Sequence, residues 1–203
     1  MKEYHKIETL YDRDEKFRVI PGKWRLPEFE YLKDNQWIWT EKVDGTNIRI
    51  IWDGEKLTFG GKTDNASIPA FLVNKLQGLF SPEKIMSVFQ FPVCLYGEGY
   101  GAKIQKGGGN YNPKGVDFVL FDVLVDKFWL ERENLEDVAQ KLGIKLVPIV
   151  GKGTLLEATE FAQKGFTSTW SNFLAEGLVV KPKVDMLTRN GYPLIAKIKM
   201  KDF

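Results

Sequence analysis

The chain has 203 residues, 43% of them hydrophobic and 28% charged, with a formal net charge of +2. This is the composition of one ordinary globular domain, and it excludes low-complexity and repeat architectures. A single cysteine, Cys94, and a single histidine, His5, exclude an internal disulfide, a Cys/His zinc site and any His-dependent triad by counting, so chemistry must run on Lys, Asp, Glu and Arg.

In chain order, the opening Met1–Lys6 has no apolar core of signal-peptide type, and no stretch approaches the ~18 consecutive apolar residues of a membrane helix. The expected location is the cytoplasm, that of a host cell if the protein is phage-encoded. Trp37–Trp39 and Ile48–Trp52 read as strands, and Asp53-Gly54 followed by Lys56–Phe59 is a hairpin signal. Pro69–Leu79 has helical spacing, and Ser81-Pro82 is an N-cap with proline at the first helical position, so two helices are predicted between residues 68 and 90. Val93–Tyr96, where Cys94 reads as a buried small hydrophobe, and Phe118–Val125 are predicted buried strands. Asn134–Leu142 and Leu155–Lys164 are predicted helices closed by Gly143 and Gly165. Strands return at Leu178–Val180 and Leu194–Lys199. Hairpin-linked strands with helices inserted in groups argue an α+β fold, antiparallel sheets with flanking helices, occupying residues 1–203 as one domain.

Three short motifs carry chemistry. Glu41-Lys42-Val43-Asp44-Gly45-Thr46-Asn47 sets a lysine in a tight turn, Glu176-Gly177 sets a carboxylate at a strand entrance, and Lys197, Lys199 and Lys201 alternate, which in a strand sends all three to one face. Each alone has a bland reading: a hairpin turn, a solvated carboxylate, a charged edge strand. Together they read as a nucleophile, a ligand for a hard cation, and a phosphate-binding pair. A lysine amine with an ordinary pKa of ~10.4 is neutral in roughly one molecule in a few thousand at pH 7, so a nucleophilic lysine needs neighbours that disfavour its proton. The segment from Lys181 to Phe203 carries +4, leaving −2 for the rest, a local cationic patch suited to a polyanion. Gly107-Gly108-Gly109 reads as a mobile loop or a phosphate wrap. No Rossmann or Walker glycine pattern is present.

On these motifs the chain resembles the covalent nucleotidyltransferase superfamily of ATP-dependent DNA ligases, RNA ligases and mRNA-capping guanylyltransferases. Besides Lys-x-Asp-Gly at Lys42, it has Tyr96-Gly97-Glu98, Phe121-Asp122 on a strand, Glu-Gly-x-Val-x-Lys from Glu176 to Lys181, and Lys-x-Lys at Lys197 and Lys199. The resemblance implies a ligase/capping-enzyme nucleotidyltransferase (adenylation) domain. It also implies that Lys42 takes AMP from ATP with release of pyrophosphate, after which AMP moves to a 5′-phosphate and is displaced by a 3′-hydroxyl. The implied roles are Glu98 at the ribose, Phe121 on the adenine, Glu41 beside it, Glu176 on Mg²⁺ or Mn²⁺, and Lys197 and Lys199 on the α-phosphate. Asn47, Lys62 and Lys181 complete the implied ATP/AMP-binding set.

Asn47 stands where DNA ligases and capping enzymes of the superfamily usually carry arginine. With Gly-Gly-Lys-Thr-Asp-Asn-Ala after the hairpin, this is similar to RNA ligases of the phage and RNA-editing type, implying RNA with 5′-phosphate and 3′-hydroxyl ends as substrate and RNA repair as context. Lys62 stands where such ligases often have arginine, and it cannot make arginine's bidentate fork. No OB-fold or helical C-terminal domain follows Lys199, so the module that grips nucleic acid is expected to be missing, or to be supplied by the patch from Lys181 to Lys201 or by a partner protein, and sealing is expected to be weaker than self-adenylation. A minimal DNA ligase acting on nicks, a guanylyltransferase, and a catalytically reduced nucleotide- or RNA-binding module remain open alternatives.

Overall fold

The computed structural model describes residues 3–203; Met1 and Lys2, the start of the N-terminal stretch that lacks a signal-peptide core, lie outside them. Along the chain run β1 (Glu8–Thr9), β2 (Tyr11–Arg13), β3 (Val19–Trp24), α1 (Pro27–Tyr31), β4 (Trp37–Glu41), β5 (Thr46–Trp52), β6 (Leu57–Gly60), α2 (Ala70–Leu79) and α3 (Pro82–Met86). There follow β7 (Val93–Gly101), α4 (Gly108–Tyr111), β8 (Val116–Val125), β9 (Phe128–Trp129), α5 (Arg132–Leu142), β10 (Lys145–Leu146), β11 (Ile149–Gly153), α6 (Leu155–Lys164), β12 (Gly177–Pro182), β13 (Ala196–Lys199) and a 3₁₀ turn, Met200–Asp202. The fold is α+β, with pairing antiparallel except at β1–β13 and β10–β8. Two compact units emerge, residues 44–147 with Glu3 and Tyr4, and residues 5–43 with 148–203.

In the 44–147 unit the strand order is β10-β8-β7-β5-β6, with β9 against β8. Cross-strand neighbours share a face, so Ile48, Gly97 and Leu120, and likewise Ile50, Leu95 and Val123, point one way. That face forms the core with Leu72 and Leu76 of α2, Ile85 of α3, and Leu135, Val138 and Leu142 of α5. Ser81 caps α3 by accepting the Lys84 N–H at 3.2 Å, and Gly143 closes α5 in the left-handed region at φ 58°. The opposite face carries Asn47, Arg49, Tyr96 and Glu98. Cys94 is fully buried, and burial pushes its thiol up to about 11.

In the other unit the order is β1-β13-β12-β4-β11, with β2–β3 as a separate hairpin. Trp37 and Trp39, Leu178 and Val180, and Ala196 and Ile198 form one face and pack with Leu155, Ala158 and Ala162 of α6. A Thr154–Glu157 capping box starts that helix. His5 stacks on Tyr192, with ring centroids 4.9 Å apart, and reads as a packing residue.

Two expectations change. Lys201 does not continue the alternation of Lys197 and Lys199, because β13 ends at Lys199 and the chain tightens into the 3₁₀ turn. The triglycine is not a loose loop: Gly108 and Gly109 open α4, the Gly107 N–H donates to Asp44 Oδ2 at 3.0 Å, and a Cβ on Gly108 would stand 2.8 Å from the Gly101 carbonyl oxygen.

Candidate active site

Lys42 is the residue after β4, and register brings it to the mouth of β12. Its N–H donates to the Gly177 carbonyl at 2.9 Å, continuing the ladder in which Glu41 faces Leu178. Gly177 in turn faces Lys199 on β13. A Cβ at Gly177 would run into the Ile198 carbonyl, which is why glycine must follow Glu176. Residues 134 and 157 positions from Lys42 in sequence thereby meet: Lys42 Nζ donates to Glu176 Oε2 at 2.6 Å, and Lys199 Nζ lies 2.8 Å from Glu176 Oε1. The three side chains are only about a fifth exposed (21%, 17% and 22%).

Glu176 is a bridge between two ammonium groups. Burial pushes its carboxyl up, but the Lys42 charge and the hydrogen bonds of both lysines outweigh burial and hold it below the ordinary carboxylate range. Lys197 is shifted the other way. Burial, with the charges of Lys199 and Lys42, disfavours its ammonium form and lowers its pKa, against a smaller opposing effect of Glu8. The β4 alternation sends Glu41 to the core side with Trp37 and Trp39. There its carboxylate is 1% exposed and accepts the Ser168 hydroxyl at 2.6 Å and the Thr169 N–H and hydroxyl at 2.8 Å each. The Glu41 side chain is thus committed to the 168–169 turn rather than offered to a base. Lys181 lies on β12 opposite Ile38.

In the 44–147 unit, Asn47 faces Glu98 across β5–β7, and Glu98 faces Val119 across β7–β8. A Cβ at Gly45 would stand 2.7 Å from Glu98 Cγ and strike the Gly99 carbonyl, which accounts for the glycine of the Lys-x-Asp-Gly turn. Phe121 sits at a register shift in β8, a bulge that re-aims a side chain, and meets the Tyr4 ring edge-on at 5.0 Å. Tyr4 also donates to Asp122 Oδ2 at 2.6 Å. Lys62 is exposed in a turn held from beneath by Arg49, whose Nε donates to the Gly61 carbonyl and whose Nη2 meets Asp64 Oδ1, both at 2.8 Å. Asn47 Oδ1 and Arg49 Nη1 are buried without a hydrogen-bond partner among the described residues. An unpaired acceptor and donor on the face opposite the α2, α3 and α5 core fit a polar ligand such as a nucleotide.

The family model described as RNA ligase matches residues 35–199. The chain belongs to the RNA ligase family. Its fold is that of Naegleria gruberi RNA ligase: an apo variant superposes with a TM-score of 0.73 at 20% identity, over 97% of this chain and 55% of that one. A variant with ATP and Mn gives 0.70 at 22% identity, over 86% and 52%. A variant with AMP and Mn gives 0.69 at 20% identity, over 99% and 63%. This RNA ligase family member therefore spans somewhat more than half the length of the solved structures it matches.

Two features of this family member escape sequence reading. The partners of Glu41 lie in an aperiodic segment, 166–176, although alternation with Trp37 and Trp39 does place Glu41 on the core side. Arg49 alternates with Ile48 and Ile50, and nothing local marks it as the fully buried brace of the 61–64 turn.

Proposed function

We propose that the chain is an ATP-dependent RNA ligase in which Lys42 is the nucleophile. The observation that carries this reading is the Lys42–Glu176–Lys199 bridge, with Lys197 alternating with Lys199 along β13. Glu176 Oε2 holds the Lys42 nitrogen in place. Because its carboxyl is held below the ordinary range, it accepts a hydrogen bond without retaining the proton, which passes to solvent before attack. The α-phosphate of ATP takes its place against Lys197 and Lys199, where anionic charge relieves the cost of keeping Lys197 protonated.

The Lys42 nitrogen attacks the α-phosphorus, an N–P bond forms, and the bond to pyrophosphate breaks. An oxygen of the RNA 5′-phosphate then attacks the same phosphorus, and the N–P bond breaks with Lys42 regaining a proton. Finally a 3′-hydroxyl attacks the 5′-phosphate, loses its proton, and AMP leaves. Asn47, Glu98 and Phe121 are assigned to the nucleoside, with Lys62 and Lys181 flanking. Arg49 is added to them for its unpaired nitrogen, and Glu41 acts by holding the 168–169 turn.

No group of three or more His, Cys, Asp or Glu side chains able to hold a metal occurs among the described residues. Glu176 would supply one ligand to Mg²⁺ or Mn²⁺, with phosphates and water as the others, as suits an ion that keeps much of its hydration. When bound, such an ion offsets charge developing on the phosphates.

Incubation with ATP and Mg²⁺ followed by intact-mass measurement should reveal covalent AMP on the wild-type chain and none on Lys42→Ala. A wild type without adduct, or a variant with one, overturns the assignment. Comparing ATP with GTP, and all-RNA with all-DNA nicks, decides nucleotide and substrate. The cytoplasm is the compartment in which this reading places the reaction.

A further inference from the structure

The 5–43/148–203 unit contains a cavity of about 550 Å³ lined by the β2–β3 hairpin, the start of β1 and the end of β13, within the size range of pockets that take nucleotide-sized ligands. Its walls carry six cationic side chains, those of Lys6, Arg13, Arg25, Lys197, Lys199 and Lys201, and three carboxylates. All three carboxylates are committed. Asp202 meets Arg13 at 2.6 Å and Glu8 lies 3.3 Å from both Lys6 and Arg25. Asp14 accepts the N–H groups of Lys16 and Arg18 and the Arg18 side chain. Lys197 and Lys201 have no ion-pair partner among the described residues, and the charge left over is positive.

An aromatic ring completes the wall. Phe17 is 78% exposed and adopts φ 61°, a left-handed conformation unfavourable for a bulky residue. The hairpin enforces it: the Phe17 N–H donates to the Asp14 carbonyl at 2.9 Å, and Arg13 Nη1 grips the Phe17 carbonyl at 2.6 Å. A solvent-facing ring on a held backbone beside a cationic groove is what single-stranded nucleic acid uses, with bases stacking and phosphates following the charge.

Position assigns the occupant. Lys197 and Lys199 line the cavity, whereas Lys42 and Glu176 do not. A phosphorus held on the lysine pair would have the nucleophile on one side and the cavity on the other. In-line displacement puts the incoming group opposite the leaving group, so the group that displaces Lys42 must arrive from the cavity side. We infer that the cavity receives the 5′-terminal phosphate and adjoining phosphodiesters of the RNA strand that accepts AMP, with its first base on Phe17. This rests on the proposed ligase function. Pyrophosphate shares the phosphate chemistry but gives the ring nothing to stack on.

The test separates the steps. In a variant combining Lys6→Ala and Lys201→Ala, self-adenylation by ATP should stay within about twofold of wild type, while single-turnover transfer of AMP from pre-adenylated protein to a 5′-phosphorylated RNA oligonucleotide falls about tenfold or more. The logarithmic salt dependence of oligonucleotide binding should become shallower by about 0.7 for each phosphate that the variant leaves unneutralised. Phe17→Ala should weaken binding about tenfold and Phe17→Trp should preserve it. Lys201→Arg should restore transfer, and unchanged melting temperatures would confirm intact folds. Unchanged transfer, or a fall in adenylation with transfer intact, overturns the assignment, the second outcome giving the cavity to the ATP tail. Should the wild type form no adduct, the ligase reading fails, and anisotropy still judges the cavity. Preference for 5′-phosphorylated over 5′-hydroxyl RNA that disappears in the double variant supports it, and equal binding of both by wild type overturns it.

Discussion

Glu176 and Lys197 are opposite cases of a charge kept near a site. Glu176 gains from folding, since a carboxylate bridging two ammonium groups is favoured over one in water. Glu176→Gln should cost about 1.5–3 kcal/mol, the worth of hydrogen bonds to a charged group. The sign with pH comes from its lowered pKa. The stabilisation is complete above the unfolded value of about 4.3 and is lost as pH falls through the lower folded value, so melts of wild type and variant should converge in acid. Lys197 loses by folding, because burial and two like charges oppose its proton. Lys197→Met should therefore melt at or above the wild-type temperature, yet lower adenylation on the order of 10²-fold, as loss of a donor to developing phosphate charge does. A variant that lost both stability and activity would remove Lys197 from the phosphate site.

At the scale of elements, period-two alternation explains most of what the sequence discloses. In β4 it divides Trp37, Trp39 and Glu41 from Ile38 and Thr40, and in β13 it divides Ala196 and Ile198 from Lys197 and Lys199. The hairpin at Asp53-Gly54, the caps at Ser81 and Gly143, and the meeting of Lys42 with Glu176 and Lys199 are all legible from residue type and order. What is not legible depends on contacts without local period. The β2–β3 hairpin carries no tight Asn-Gly or Asp-Gly turn, the bulge at Phe121 is set by pairing with Tyr96 and Gly97, and Ser168 and Thr169 find Glu41 from an irregular segment. For Glu41 the difference changes the role of the side chain. Sequence resemblance puts it at the adenine, whereas the structure gives its carboxylate three donors and almost no exposure. Glu41→Ala should lower the melting temperature on the order of 5–10 °C with no nucleotide present, from an expected loss of about 1.5–3 kcal/mol. Unchanged stability with weakened ATP binding would return the side chain to the base.

At the scale of the whole molecule, the chain leaves one unit at Val43 and re-enters it at Pro148, and those two points are neighbours. The Glu41 N–H donates to the Pro148 carbonyl at 3.1 Å, and β4 runs antiparallel to β11 from there. Residues 44–147 are thus an insertion into a β-hairpin connection, and a hairpin loop of about 2–5 residues could take their place. The remaining unit keeps its five-stranded sheet, the α6 cover and a core containing Trp37, Trp39, Leu155, Leu178 and Ile198. A chain of residues 5–43 joined by such a loop to 148–203 should therefore fold cooperatively. It holds Lys42, Glu176, Lys199 and every residue lining the cavity, so it should bind 5′-phosphorylated RNA with a salt dependence close to that of the full chain. It lacks Asn47, Glu98 and Phe121, and should form no AMP adduct. Circular dichroism melts and anisotropy titrations would check this. A cooperative fold without RNA binding would place the strand-binding surface elsewhere, and an unfolded product would mean that the sheet depends on the inserted residues for its stability.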